Sequence, residues 1–148
     1  MTHSGSAFLI AAMWCASAMA QTSADTIGHV HKADGLATIE RKGAQLPATV
    51  GTPLQRSDVI RTGKPGAVGI VLTDDTTVSL GSGSELALAD YAFEPKEGKV
   101  ALTLRMIKGT FSYITGQIVK LAPDAARVLT PDATIAVRGT KLLVQIKE

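Results

Sequence analysis

Ala67-Val68-Gly69-Ile70-Val71-Leu72-Thr73-Asp74-Asp75-Thr76-Thr77-Val78-Ser79-Leu80, continuing through Gly81-Ser82-Gly83-Ser84 to Glu85-Leu86-Ala87-Leu88, is the stretch that decides the fold class. Val68, Ile70 and Leu72 alternate with Ala67, Gly69 and Val71, so both faces of the segment are apolar, as in a covered central strand. Thr73-Asp74-Asp75 supplies turn chemistry, and the alternation returns with Val78 and Leu80. Gly81 to Ser84 reads as another turn, after which Leu86 and Leu88 resume the period of two. A helix has no use for this spacing; a meander of strands does.

The same pattern extends outward. Glycine recurs from Gly28 to Gly139 at intervals too short for long helices. Val100, Leu102, Leu104 and Met106 alternate with Ala101, Thr103 and Arg105. Val100, Leu104 and Ile107 also fit a helical face, but Gly98 and Gly109 bracket the segment, and its length favours strand. Further strands are expected at Thr110 to Ile114, Gln117 to Leu121, Arg127 to Leu129, Thr134 to Val137 and Leu142 to Ile146, with one helical turn after Pro123. The expectation is an all-β chain of short strands, arranged as a β-sandwich or as a twisted, solenoid-like module.

The start of the chain reads differently. Met1 to Ala20 contains no Lys, Arg, Asp or Glu, and Ala7 to Ala20 is an apolar run closed by Ala18-Met19-Ala20. This is the pattern of a signal peptide over 1–20, cleaved before Gln21, although its first residues carry no Lys or Arg. The run is shorter than the ~20 residues that cross a bilayer. The single Cys15 leaves with the leader, and the bulky Trp14 beside it argues against lipidation there. Residues 21–148 then form one domain without disulfides, held by its core alone, in the periplasm or outside the cell. No later segment approaches a membrane span.

Charge excludes little else. Fifteen Lys and Arg against 13 Asp and Glu give a net charge of +2, with no basic block, so nucleic acid is not an expected partner. Hydrophobic content of 45% is too high for a disordered chain.

An ordered series of segments resembles the FecR domain family, periplasmic sensory and interaction domains named after regulators of iron uptake. It runs through Gly28-His29-Val30, Ala37 to Arg41, Gly51-Thr52-Pro53-Leu54, Asp58 to Gly63, the Ala67 to Leu88 hairpin and Lys108 to Phe111. It closes on Thr130-Pro131-Asp132-Ala133-Thr134-Ile135-Ala136-Val137-Arg138-Gly139-Thr140, its most specific part. The resemblance implies an exported, non-catalytic, all-β module that needs no cofactor. It implies a contact surface for an envelope protein partner, and a structural role for Gly51, Asp58, Thr62, Gly63, Thr130, Pro131, Arg138, Gly139 and Thr140. The iron regulators also carry a sigma-binding segment and a membrane helix, which this sequence lacks, so sigma regulation is not implied.

Read from the residues alone, the closing segment has a physical logic. Pro131 forces Thr130 to be extended, Gly139 permits a bend, and the planar fork of Arg138 can pin a turn. Other constellations are weaker. His29 and His31 share one strand face but make only half a metal site. Asp74 and Asp75 read as turn formers rather than an acid–base pair or a calcium site. Gly81 to Ser84 lacks the ending of a phosphate loop. No nucleophile–base set suggests hydrolysis. Tyr91 with Phe93, and Phe111 with Tyr113, read as core; if exposed instead, Tyr91, Phe93 or Tyr113 would suit a cell-wall glycan, the alternative partner.

Overall fold

A computed structural model describes residues 26–137 and 139–147. The proposed leader, and Arg138, lie outside the described residues. Ten strands form one sheet: β1 (Thr26–Arg41), β2 (Ala44–Pro47), β3 (Pro53–Gln55), β4 (Val59–Leu72), β5 (Thr77–Leu80), β6 (Glu85–Glu94), β7 (Lys99–Ile114), β8 (Ala126–Leu129), β9 (Thr134–Ala136) and β10 (Lys141–Ile146). A short helix, α1 (Gln117–Leu121), and a 3₁₀ turn at Pro123–Ala125 link β7 to β8. The all-β expectation holds. Strand length is a correction: β1 and β7 each run 16 residues and β4 runs 14, because they pass through their glycines without ending there.

Pairing shows how these long strands build a compact body. β1 lies along one edge of β4, from Gly28 opposite Leu72 to Glu40 opposite Val59. β5 and β6 lie end to end along the other edge of β4, Leu80 opposite Val68 and Glu85 opposite Arg61. The same two segments run end to end along β7, Leu80 opposite Phe111 and Leu86 opposite Met106. Gly81 to Ser84 therefore does not reverse the chain, as its composition led us to expect. It carries one long, interrupted strand around a bend.

That bend is part of a crease across the whole sheet. Gly35 of β1 is opposite Gly66 of β4, Gly83 N–H donates to Gly63 O at 3.1 Å, and Gly81 N–H donates to Thr110 O at 2.9 Å. Hydroxyls replace the ladder bonds lost there. Thr62 Oγ1 donates to Gly81 O at 2.6 Å and accepts from Ser84 N–H at 2.8 Å. Ser84 Oγ accepts from Thr110 N–H at 3.1 Å and donates to Thr110 O at 3.3 Å. The crease has no room for more: a Cβ on Gly109 would stand 2.5 Å from Ser84 Cα, and one on Gly66 would stand 2.5 Å from Leu36 O.

Folding along this line brings distant ends together. Tyr91 on β6 and Asp74 in the β4–β5 turn lie on opposite sides of the crease, yet the Tyr91 hydroxyl accepts from Asp74 N–H at 2.9 Å. One sheet, closed in part into a small barrel, thus wraps a single core. Ile60, Leu86, Leu88, Leu102, Leu104 and Met106 face inward from one half, and Val68, Ile70, Leu72, Val78, Leu80, Phe111 and Tyr113 from the other. Fully burying such side chains is worth roughly 1.5–3 kcal/mol each and supplies the main drive to fold. A register shift between Leu88 and Asp90 returns Tyr91 to the inner face.

One element differs in kind from the expectation. Gln117–Leu121 is a five-residue α-helix, not a strand. Its consecutive Ile118 and Val119 are both buried, which a helix allows and an alternating strand does not. Its first amides are taken up by a distant residue: Gln117 N–H donates to Asp74 O at 2.7 Å, and Ile118 N–H to Asp74 Oδ2 at 3.2 Å. Gly116 permits that approach, since a Cβ there would stand 2.4 Å from Thr76 N. This tertiary capping overrides the β-propensity of Ile118 and Val119. The helical turn expected after Pro123 is present.

Candidate functional site: the notch beside the closing segment

β7 has two different neighbours along its outer edge. β8 runs parallel to it from Leu102 to Arg105, and β10 runs antiparallel from Gly109 to Ile114. Between them, Met106 and Ile107 pair with neither described strand on that edge. The gap is a notch of about 410 Å³ lined by Arg105, Met106, Ile107, Leu129, Thr130 and Pro131. On the far side of Pro131 a second depression, about 300 Å³, is walled by Ile135, Val144 and Ile146. The loop from β8 to β9 thus forms a ridge between two hollows, with Pro131 exposed on it.

The ridge holds its shape through its own backbone. Thr130 N–H donates to Ala133 O at 2.8 Å, and Thr130 Oγ1 accepts from Ala133 N–H at 3.0 Å. Pro131 follows with φ preset by its ring. Downstream, Gly139 takes φ +95, and its carbonyl accepts from Thr115 Oγ1 at 2.6 Å, while Thr140 O accepts from Thr115 N–H at 3.0 Å. Thr130 and Pro131 thus sit beside Ile107 and the Ile146 end of β10, whereas Gly139 and Thr140 sit at its other end, on Thr115.

The other residues singled out in the sequence lie elsewhere. Gly51, at φ +89 between β2 and β3, donates its N–H to Val30 O at 2.8 Å. Thr62 and Gly63 sit on the crease. Asp58 is fully buried before β4 and ties three strands together. Its carboxylate accepts from Arg41 Nε at 2.9 Å and Nη2 at 2.7 Å, and from Gln55 N–H at 2.8 Å. This paired geometry, with Asp58's charge beside it, raises the Arg41 guanidinium above its ordinary range despite partial burial. On the outer face Arg61 bridges Glu40 and Glu85, and its hydrogen bond to Glu40 raises its pKa in the same way.

Sequence reasoning placed Asp74 in a turn, which is correct, but missed that it is fully buried. Its carboxylate accepts from Thr76 Oγ1 at 2.7 Å, Tyr91 OH at 3.1 Å and the amides of Thr76 and Ile118. The Asp-x-Thr spacing is a local signal for the Thr76 bonds. Nothing local signals Tyr91 or Ile118. Arg41 carried no signal either, being one arginine before a hairpin turn.

The aromatics are core, with one exception. Tyr91, Phe111 and Tyr113 are buried, and Phe93 is half-buried. Burial raises the hydroxyl pKa of Tyr91, opposed by its hydrogen bond with Thr73. Burial likewise pushes Tyr113 up to about 12; Thr76 opposes and the Asp74 charge adds. The Thr76 hydroxyl is directed at Asp74, however, and the Tyr113 hydroxyl completes no hydrogen bond of normal geometry. His29 and His31 flank the buried Val30 and point outward. Among the described residues no group of three or more His, Cys, Asp or Glu is placed to hold a metal ion. No described helix is long and apolar enough to cross a membrane.

The structure is a creased all-β sheet with hollows at its edge, and its buried Asp58, Thr62, Asp74, Thr76 and Ser84 are all hydrogen-bonded within the fold. The chain belongs to the FecR family, whose model, described as FecR protein, matches residues 58–148. Among solved structures, one titled "Cell surface anchoring domain" is 31% identical over 41% of this chain and 82% of its own, with a TM-score of 0.40. No curated protein matches the chain.

Proposed function

We propose that this protein is a non-enzymatic, exported module of the cell envelope, acting through contact with a protein partner in signal sensing or assembly. Membership of a family of regulatory and signalling proteins supports the class. The observation that carries the surface is the notch at Met106 and Ile107, where β7 lacks a described edge neighbour and Leu129 and Pro131 provide apolar walls. An interrupted edge with an apolar recess suits one or two residues of an extended partner segment. The sequence feature behind the periplasmic assignment is the run from Ala7 to Ala20.

Photo-crosslinking in intact envelopes tests the surface, using a photoreactive residue at Pro131 and a control at the exposed His31. A partner captured at Pro131 and absent at His31 is the expected outcome. Identical products at both positions, or none at Pro131, would sink the assignment of this surface.

A cell-wall glycan is the second reading. A polar slot of about 320 Å³, lined in part by Arg56, Thr73, Phe93 and Lys99, supports it. Phe93 offers the half-open ring on which a sugar stacks. Retention on peptidoglycan that Phe93→Ala abolishes would move the function there.

A further inference from the structure

Among the described residues, four strands have an edge that no other described strand covers, and they are not alike. β2 has four residues and ends at Pro47, β3 has three and begins at Pro53, and β9 has three. Short length and proline are the usual means of blunting an edge. β10 has six residues, pairs only with β7 and contains no proline. Its outward-facing Leu143 is 70% exposed, the highest value among the large apolar side chains described. Ile114, 45% exposed, stands diagonal to it on β7.

From these observations we infer that the open edge of β10 pairs antiparallel with β10 of a second copy, about a two-fold axis at Leu143. Residues directly opposite each other in an antiparallel pair point to the same face, so the axis must pass through one residue and its own counterpart. Leu142, Val144 and Ile146 point inward, and Lys141, Leu143 and Gln145 point outward. An axis at Leu143 sets Leu143 against Leu143 of the second copy and Lys141 against Gln145. On the inner face it sets Leu142 against Val144. Every pair from Lys141 to Gln145 is matched in polarity, and Ile146 falls opposite Thr140 beyond the start of the strand; the interface is isologous.

The neighbouring registers are not matched. An axis at Val144 opposes Lys141 to Lys147, a like-charge pair that destabilises a sheet. An axis at Leu142 opposes Lys141 to Leu143, and one at Gln145 opposes Leu143 to Lys147. Of these registers the one at Leu143 matches the strand to itself best, which favours a second copy over a strand of unrelated sequence. The short paired stretch from Lys141 to Gln145 covers well under the ~1,200–2,000 Å² of a stable interface, so the dimer is weak and reversible. The inference stands apart from the notch reading, since the notch lies on the other side of the Pro131 ridge.

Sedimentation equilibrium of the full chain, from micromolar to millimolar concentration, tests it. A reversible monomer–dimer equilibrium is expected. Leu143→Lys and Leu143→Glu should each be monomeric, and an equimolar mixture should recover a salt-sensitive dimer, because only a residue that faces its own counterpart can be rescued this way. A chain monomeric throughout, a dimer that survives Leu143→Lys, or a mixture that stays monomeric would each overturn the pairing. So would capture of β10 by a different protein in place of a second copy. Leu143→Cys covers the case in which either charged variant misfolds: it should form an intermolecular disulfide under mild oxidation, and Gln145→Cys should not.

Discussion

Gly109 and Gly98 form a matched pair that isolates the crease. Both have positive φ, +102 and +68. A Cβ on Gly98 would meet nothing within 4 Å, whereas one on Gly109 would stand 2.1 Å from Ser84 Oγ, 2.5 Å from its Cα and 2.6 Å from its Cβ. Gly98→Ala therefore carries the cost of left-handed backbone alone, about 1–2 kcal/mol. Gly109→Ala adds displacement of Ser84 and the loss of both its bonds to Thr110, each worth about 1 kcal/mol. The expected total for Gly109→Ala is about 3–5 kcal/mol, a large share of the roughly 5–15 kcal/mol that holds a domain folded. Urea unfolding followed by circular dichroism measures both variants. Gly98→Ala should lower the midpoint modestly with unchanged slope, and Gly109→Ala should lower it at least twice as far or leave the chain unfolded. Equal shifts for the two variants would refute the crease as a close-packed line.

Further outcomes follow from the buried polar groups. Arg41→Met leaves the buried Asp58 carboxylate with little beyond the Gln55 amide. It should destabilise by about 3–5 kcal/mol in the same assay, most of which Asp58→Asn made in addition should recover. Asp74→Ala strands the Thr76, Tyr91 and Ile118 donors and should cost at least about 3 kcal/mol, with the α1 amides exchanging first in a hydrogen-exchange experiment. Tyr113→Phe removes a buried hydroxyl that has no partner, and should be neutral or raise the melting temperature. Both buried tyrosines have folded-state pKa values above the ordinary 10.0, so their contribution is complete below pH 10 and is lost as pH rises through the folded values. Stability against urea should fall between pH 10 and about 12, and less steeply in Tyr113→Phe.

The strands were legible because one alternating face meets one core. Val68, Ile70 and Leu72 show this, as do Leu102, Leu104 and Met106. What the sequence hid was continuity. Gly81 to Ser84 has the composition of a reversal, and only the pairing of Thr62, Ser84 and Thr110 across the sheet shows that the chain bends there without reversing. Gly109 was read as a strand boundary for the same reason, although β7 passes through it. Helix α1 was illegible because its capping group, Asp74, lies 44 residues away. The closing segment was recognisable as a unit. The notch beside it was not, since it arises from where β8 stops and β10 starts along a third strand.

The family match begins at Asp58, one residue before β4, while β1 covers β4 from Glu40 to Gly28. β1 also delivers Ile27, Val30 and Ile39 to the interior, and Leu54 comes with β3. A fragment cut at Asp58 would keep every matched residue and still lack the strand that seals its longest flank. Such a fragment would be a vacant receptor for residues 26–41, and supplying them as a separate peptide should restore it by donor-strand complementation.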